Sequence, residues 1–144
     1  MRSLCCSFFP VMLGGLIYTT YRDSDLLMFT WYDTIGLTRL IEQLRVTVAL
    51  FSDPISDWII FSLPNALWMF SFIHALLWVW DFKLERRNLG WMLLATGIGI
   101  GTEIGQWMHL VAGTFDQTDL WMLFVASFLP IFFIKHPNLY FKTS

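Results

Sequence analysis

The sequence predicts an all-α fold, a polytopic membrane bundle of about four transmembrane helices plus one interfacial amphipathic helix, in a single domain over residues 1–144. Three observations predict it. Apolar residues make up 56% of the chain and charged residues only 14%, against roughly 25% charged in soluble domains. Aromatics reach 18%, with 8 Trp and 14 Phe, more apolar bulk than a soluble chain of this size can hide. Uncharged stretches of near-bilayer length also recur along it.

The first stretch, 4–20, is uncharged for 17 residues and broken by Pro10 and Gly14-Gly15. It reads as a retained span, because no small-x-small cleavage site follows. Cys5 and Cys6 are adjacent, which disfavours a bridge between them, and they have no metal-type spacing. Next, "IGLTRLIEQLRVTVAL" (35–50) is amphipathic. Leu37, Leu40, Ile41, Leu44 and Val48 share one helical face, while Arg39, Glu42 and Arg45 follow each other three apart on another. Three charges in sixteen residues make this a helix lying on a membrane rather than crossing it.

The second span, 58–80, is uncharged for 23 residues, with a kink expected at Pro64-Asn65 and with His74 deeper in. The third, 89–113, has 25 residues and one acid, Glu103. The fourth, 119–135, holds 15 uncharged residues between Asp119 and Lys135, with Pro130 near its end. Arg2, Lys83, Arg86, Arg87, Lys135 and Lys142 fall on one side of these spans, and Arg22, Arg39 and Arg45 on the other. The positive-inside rule then places both termini and the 83–87 link in the cytoplasm.

"GTEIGQWMHLVAGTFDQTD" (101–119) carries the polar chemistry. A carboxylate in hydrocarbon is costly and turns toward protein or a watery cavity. Glu103 and Gln106 are three apart, so they point the same way, and His109 extends the row outward. Asp116 and Asp119 have the pattern of a helix start, an N-cap followed by a first-turn acid. Glu103 and Gln106 also fit a plain interhelical clamp, with Asn65, His74 or Arg45 as donors. Gly97, Gly101 and Gly105 fall four apart, a face against which another helix can pack closely. A metal site drawn from Glu103, His109, Asp116 and Asp119 lacks any spacing that fixes its geometry, so no metal and no cofactor are expected. No basic stripe suggests nucleic acid, and no third partner completes a Ser71–His74 pair.

"TEIGQWMHLVAGTFDQTDL" resembles the signature of VanZ-like membrane proteins: an acid and a glutamine three apart, then a Phe-Asp-x-x-Asp turn opening the last span. The matching residues are Glu103, Gln106, Gly113, Phe115, Asp116 and Asp119. "SLPNALWMFSF" (62–72) looks like the second-span entrance of that family, where an acid often replaces Asn65. Gly113-Thr114 stand where the family carries an arginine, so no anion-binding role is carried over. The resemblance implies a multi-pass protein of the bacterial cytoplasmic (inner) membrane and cell envelope, from a family linked to glycopeptide susceptibility.

The expected function is binding of an envelope or lipid-linked ligand in an outward-facing polar pocket. Glu103 and Gln106 would form its buried floor, Asp116 and Asp119 its rim, and Trp107 and Phe115 its walls, with the 35–50 helix across the mouth and with Asn65 and His109 as further ligand-binding candidates. Two alternatives stand beside it: a small structural subunit of a larger membrane complex, joined through the glycine face, and an intramembrane enzyme on lipid substrates using Glu103 as acid/base. Membrane lipids and a lipid-linked envelope precursor are the partners expected.

Overall fold

A computed structural model describes residues 2–51 and 55–134. Lys135 and Lys142, used above for orientation, lie outside the described residues, as do the side chains of Arg2, Cys5 and Cys6. Among the described residues the chain is all helical, with no strand. Four helices form an up-and-down bundle: α1 (Arg2–Tyr21), α5 (Leu63–Val79), α6 (Arg86–Trp107) and α7 (Gln117–Phe128), the last running into a 3₁₀ turn (Leu129–Phe133). Two shorter helices, α2 (Leu27–Thr34) and α3 (Thr38–Phe51), form a hairpin after α1, and α4 (Asp57–Phe61) leads into α5.

The central helix is α5, which packs on α1, α6 and α7, most extensively on α1. The pairing is antiparallel with α1: Ser7 meets His74, while Gly14 meets Pro64 and Trp68. With α7 it is parallel, since Phe70 and His74 contact Phe133 in the turn that follows α7. One end of the bundle therefore carries the 80–85 link, the start of α1 and residue 134. The other carries the α2–α3 hairpin and the start of α7.

Local chemistry sets the helix ends. Pro64 has no N–H to give to Ile60, so the helical rod interrupts at Ser62, which nonetheless keeps helical dihedrals (φ −92°, ψ −41°). Helices α4 and α5 thus continue one line from Asp57 to Val79. At the far end Phe82 N–H reaches Leu77 O at 2.7 Å and Asp81 N–H reaches Trp78 O at 3.1 Å, with Asp81 left-handed at φ 52°. This is a Schellman cap, and it drives Phe82 back onto Leu77 and Ile73 in the apolar core. Asn88, fully buried, starts α6 through a reciprocal box with Glu85, accepting the Glu85 N–H at 2.8 Å and donating to Lys83 O.

The stretches expected as spans are all helical, but their limits differ from those expectations. The third helix ends at Trp107 rather than Gly113. The amphipathic helix begins at Thr38 rather than Ile35, because Gly36 (φ 75°) closes an α2 that the sequence reading did not foresee. Among the described residues, no helix is long and apolar enough to cross a membrane. Helix α5 has 17 residues and α7 has 12. Helix α6 has 22, but Glu103, Gln106 and glycines at 90, 97, 99, 101 and 105 dilute it.

Among the described residues the buried set is mixed: eight apolar residues and two prolines, Pro64 and Pro130, stand beside nine polar or charged ones, while side chains such as Phe8, Phe9, Leu93, Ile98 and Phe132 are exposed.

Candidate functional site

The end of α6 builds the site. Glu103 and Gln106 lie one turn apart near its last turn, and a Schellman cap closes the helix: Leu110 N–H reaches Gly105 O at 2.8 Å and His109 N–H reaches Gln106 O at 3.0 Å. The left-handed position, φ 58°, is occupied by His109 instead of glycine. The chain then folds back along the helix. Val111 fills the space over Gly105, where an added Cβ would meet its Cγ2 at 2.8 Å. Gly113, at φ 134°, lies against Gln106 so closely that a Cβ would meet Nε2 at 2.6 Å.

Helix α7 starts where this loop arrives. Asp116 is its N-cap, accepting the Thr118 N–H at 2.7 Å. Asp119, in the first turn, is not a solvated dipole partner but a buried group. It faces Glu103, which is only 4% exposed. The charges acting on Glu103 are of its own sign, from Asp119 and Asp116, while the backbone N–H of Asp116 is directed at its carboxylate. One oxygen on each acid, Glu103 Oε2 and Asp119 Oδ1, is buried without a hydrogen-bond partner. Such groups carry their desolvation cost uncompensated.

Glu103 lies on the wall of a cavity of about 620 Å³ between α5 and α6, with Asn65, Trp68, Phe72, Thr102 and Gln106. The polar trio Glu103, Gln106 and Asn65 is therefore brought together. Trp107 and Phe115 do not form the walls expected of them. Trp107 is 65% exposed because it sits about 100° round the helix from Gln106, and Phe115 is exposed in the loop. His109 is exposed too, turned away by its cap conformation. The aromatic wall comes from Trp68 and Phe72. With Asn65 they recur at helical spacing on one face of α5, a signal present in the sequence but not used.

Other expectations also change. The close-approach glycine of α6 is Gly99, whose added Cβ would meet Met69 Cε at 2.6 Å, whereas Gly97 and Gly101 meet nothing within 4 Å. Gly105 is covered by its own chain rather than by another helix. His74 is hydrogen-bonded to Ser7 at 2.7 Å and ringed by Phe70, Phe82 and Phe133, away from Glu103. Arg45 donates to Arg22 O at 2.9 Å and lies over Phe29. The amphipathic helix does not cross the mouth: it packs on α1 and α2, and none of its residues lines the cavity. Among the described residues no group of three or more acidic, His or Cys side chains could hold a metal. A separate apolar groove of about 640 Å³ lies on the other side of α5, walled by residues such as Phe70 and Trp121, and no charged side chain lines it.

No family model matches the chain, and neither a curated protein nor a solved structure matches it.

Proposed function

We propose that the chain is a membrane-embedded, VanZ-like protein of the bacterial envelope that binds an envelope or lipid-linked ligand in the cavity between α5 and α6. The observation that carries this reading is Glu103: buried, with Oε2 unpartnered, on the wall of a cavity whose other residues are two amides, one threonine, aromatics and small or alkyl groups. A ligand with a polar head and an apolar body matches that lining. The many large apolar side chains left exposed support lipid as the surrounding medium. The combined α4–α5 rod, 23 residues from Asp57 to Val79, is about 35 Å long at 1.5 Å per residue, near the thickness of a bilayer core.

Two measurements test it. Single cysteines at Gln43 and Arg87, both exposed, introduced into a chain with Cys5 and Cys6 replaced by serine, are expected to react oppositely with an impermeant thiol reagent in intact cells. Position 43 labels and position 87 does not; equal labelling defeats the membrane placement. For the cavity, the protein purified from membranes is expected to retain a co-purifying amphiphile at near one per chain, reduced at least fivefold in Glu103→Gln. Equal retention by the variant defeats the site.

A second reading, a small structural subunit of a membrane complex, draws on one observation: the face at Gly97 and Gly101 is open, with nothing within 4 Å of either. A stoichiometric protein partner surviving mild extraction would favour it.

A further inference from the structure

We infer that the cavity between α5 and α6 takes a cationic head, an ammonium group carried by an amphiphile, seated between Glu103 and the rings of Trp68 and Phe72. This rests on the ligand-binding reading above and names the chemistry of its ligand.

The argument starts from what the wall offers. A carboxylate presents acceptor positions, and a cation seated beside it favours that ionised form. Glu103 is 96% buried by its 4% exposure, and its Oε2 has no donor. Behind it stands Asp119, 9% exposed, with Oδ1 equally unpartnered. None of the residues lining the cavity is basic, so the wall itself contributes no counter-charge. Two donors that could have served are already engaged: the Thr102 hydroxyl gives its proton to Gly99 O at 2.7 Å, and the Trp68 indole N–H points to Val11 O at 3.3 Å. Asn65 and Gln106 each bring an amide donor group as well as an acceptor, so what remains unmet beyond them is the acidic oxygens, and a group with several N–H donors and a positive charge satisfies these.

The rest of the lining selects among cations. The faces of tryptophan and phenylalanine attract ammonium groups, and Asn65 and Gln106 offer amide oxygens for its remaining protons. A bare metal ion fits poorly, since no group of three or more His, Cys, Asp or Glu side chains that could hold one assembles among the described residues and a hard ion gains nothing from aromatic faces. The cavity, at about 620 Å³, is larger than a small ammonium, and Met69, Ile98 and Leu123 extend the wall with alkyl surface. An alkyl chain attached to the head occupies that part. A negatively charged head is repelled by Glu103, the one acid in the lining, with Asp119 and Asp116 adding the same sign behind it.

The test uses the full chain purified in a non-ionic detergent, titrated with decylammonium, decanol and decanoate, and followed by tryptophan emission. The three probes share one chain length, so micelle partitioning is held nearly constant. Decylammonium is expected to bind at least tenfold more tightly than decanol, and decanoate most weakly. Glu103→Gln, close in shape, removes the preference for decylammonium. Phe72→Leu, at a position 53% exposed and therefore tolerant of change, weakens decylammonium several-fold more than it weakens decanol. Equal, Glu103-dependent binding of decylammonium and decanol overturns the ammonium inference while leaving the cavity reading intact, as does a preference for decanoate. A preference for decylammonium that survives Glu103→Gln also overturns it. Binding of none of the three overturns both.

Discussion

Gly14→Leu is expected to destabilise the bundle by about 2–3 kcal/mol, the scale of forcing extra carbons into a packed interface. Gly14 is where α1 crosses α5. An added Cβ there would stand 2.8 Å from Trp68 Nε1, 3.1 Å from Trp68 Cδ1 and 3.2 Å from the Pro64 carbonyl oxygen. None of these gives way easily. The indole is held by Val11 O and lies against Tyr18, with ring centroids 5.3 Å apart. The Pro64 carbonyl is backbone at the start of α5. Better helix propensity returns only about 0.8–1 kcal/mol, so the net sign is a loss. Gly15 supplies the contrast, since nothing lies within 4 Å of its Cβ position. Gly15→Ala is therefore expected to gain about 0.5–1 kcal/mol. Thermal unfolding in detergent reads both variants. A loss at both positions, or at neither, would show that the α1–α5 crossing is not where the coordinates put it.

The same contrast explains which features were legible in the sequence. Uncharged stretches locate α1, α5, α6 and α7, because composition alone excludes charged loops from them. Their ends are harder to read. Two helices close with left-handed residues that are not glycine, Asp81 and His109, and neither side chain announces that conformation as Gly36 does. The Glu103–Gln106 pair and the Asp116 cap are legible from spacing, since each depends on one helix. The burial of Asp119 is not, because it depends on residues 108–116 folding back over α6. Nor does a row of small residues say which of them meets a neighbour. Gly99 and Gly101 are two residues apart, about 200° round the helix, so only one of them can face α5.

Glu103→Gln and Glu103→Leu are expected to shift stability in opposite directions in the unliganded protein. Glu103 does two things in the fold. Its carboxyl group lies beside the backbone N–H of Asp116 at the start of α7, which favours the native loop, and it places a buried acid with an unpartnered oxygen beside Asp119. Glutamine keeps an acceptor for that N–H and removes the charge, so about 1–2 kcal/mol of uncompensated cost disappears. Leucine removes the acid and the acceptor together and leaves the Asp116 donor facing an alkyl group, while Asp119 Oδ1 is unpartnered with either residue. A loss of about 1–3 kcal/mol follows from the unmet donor. Thermal midpoints without added amphiphile measure both, and a destabilised glutamine variant would mean that the carboxylate already has its counterpart inside the protein. Should the glutamine variant gain stability while losing its amphiphile, the acid is retained at a cost to the fold because the ligand, not the protein, completes it.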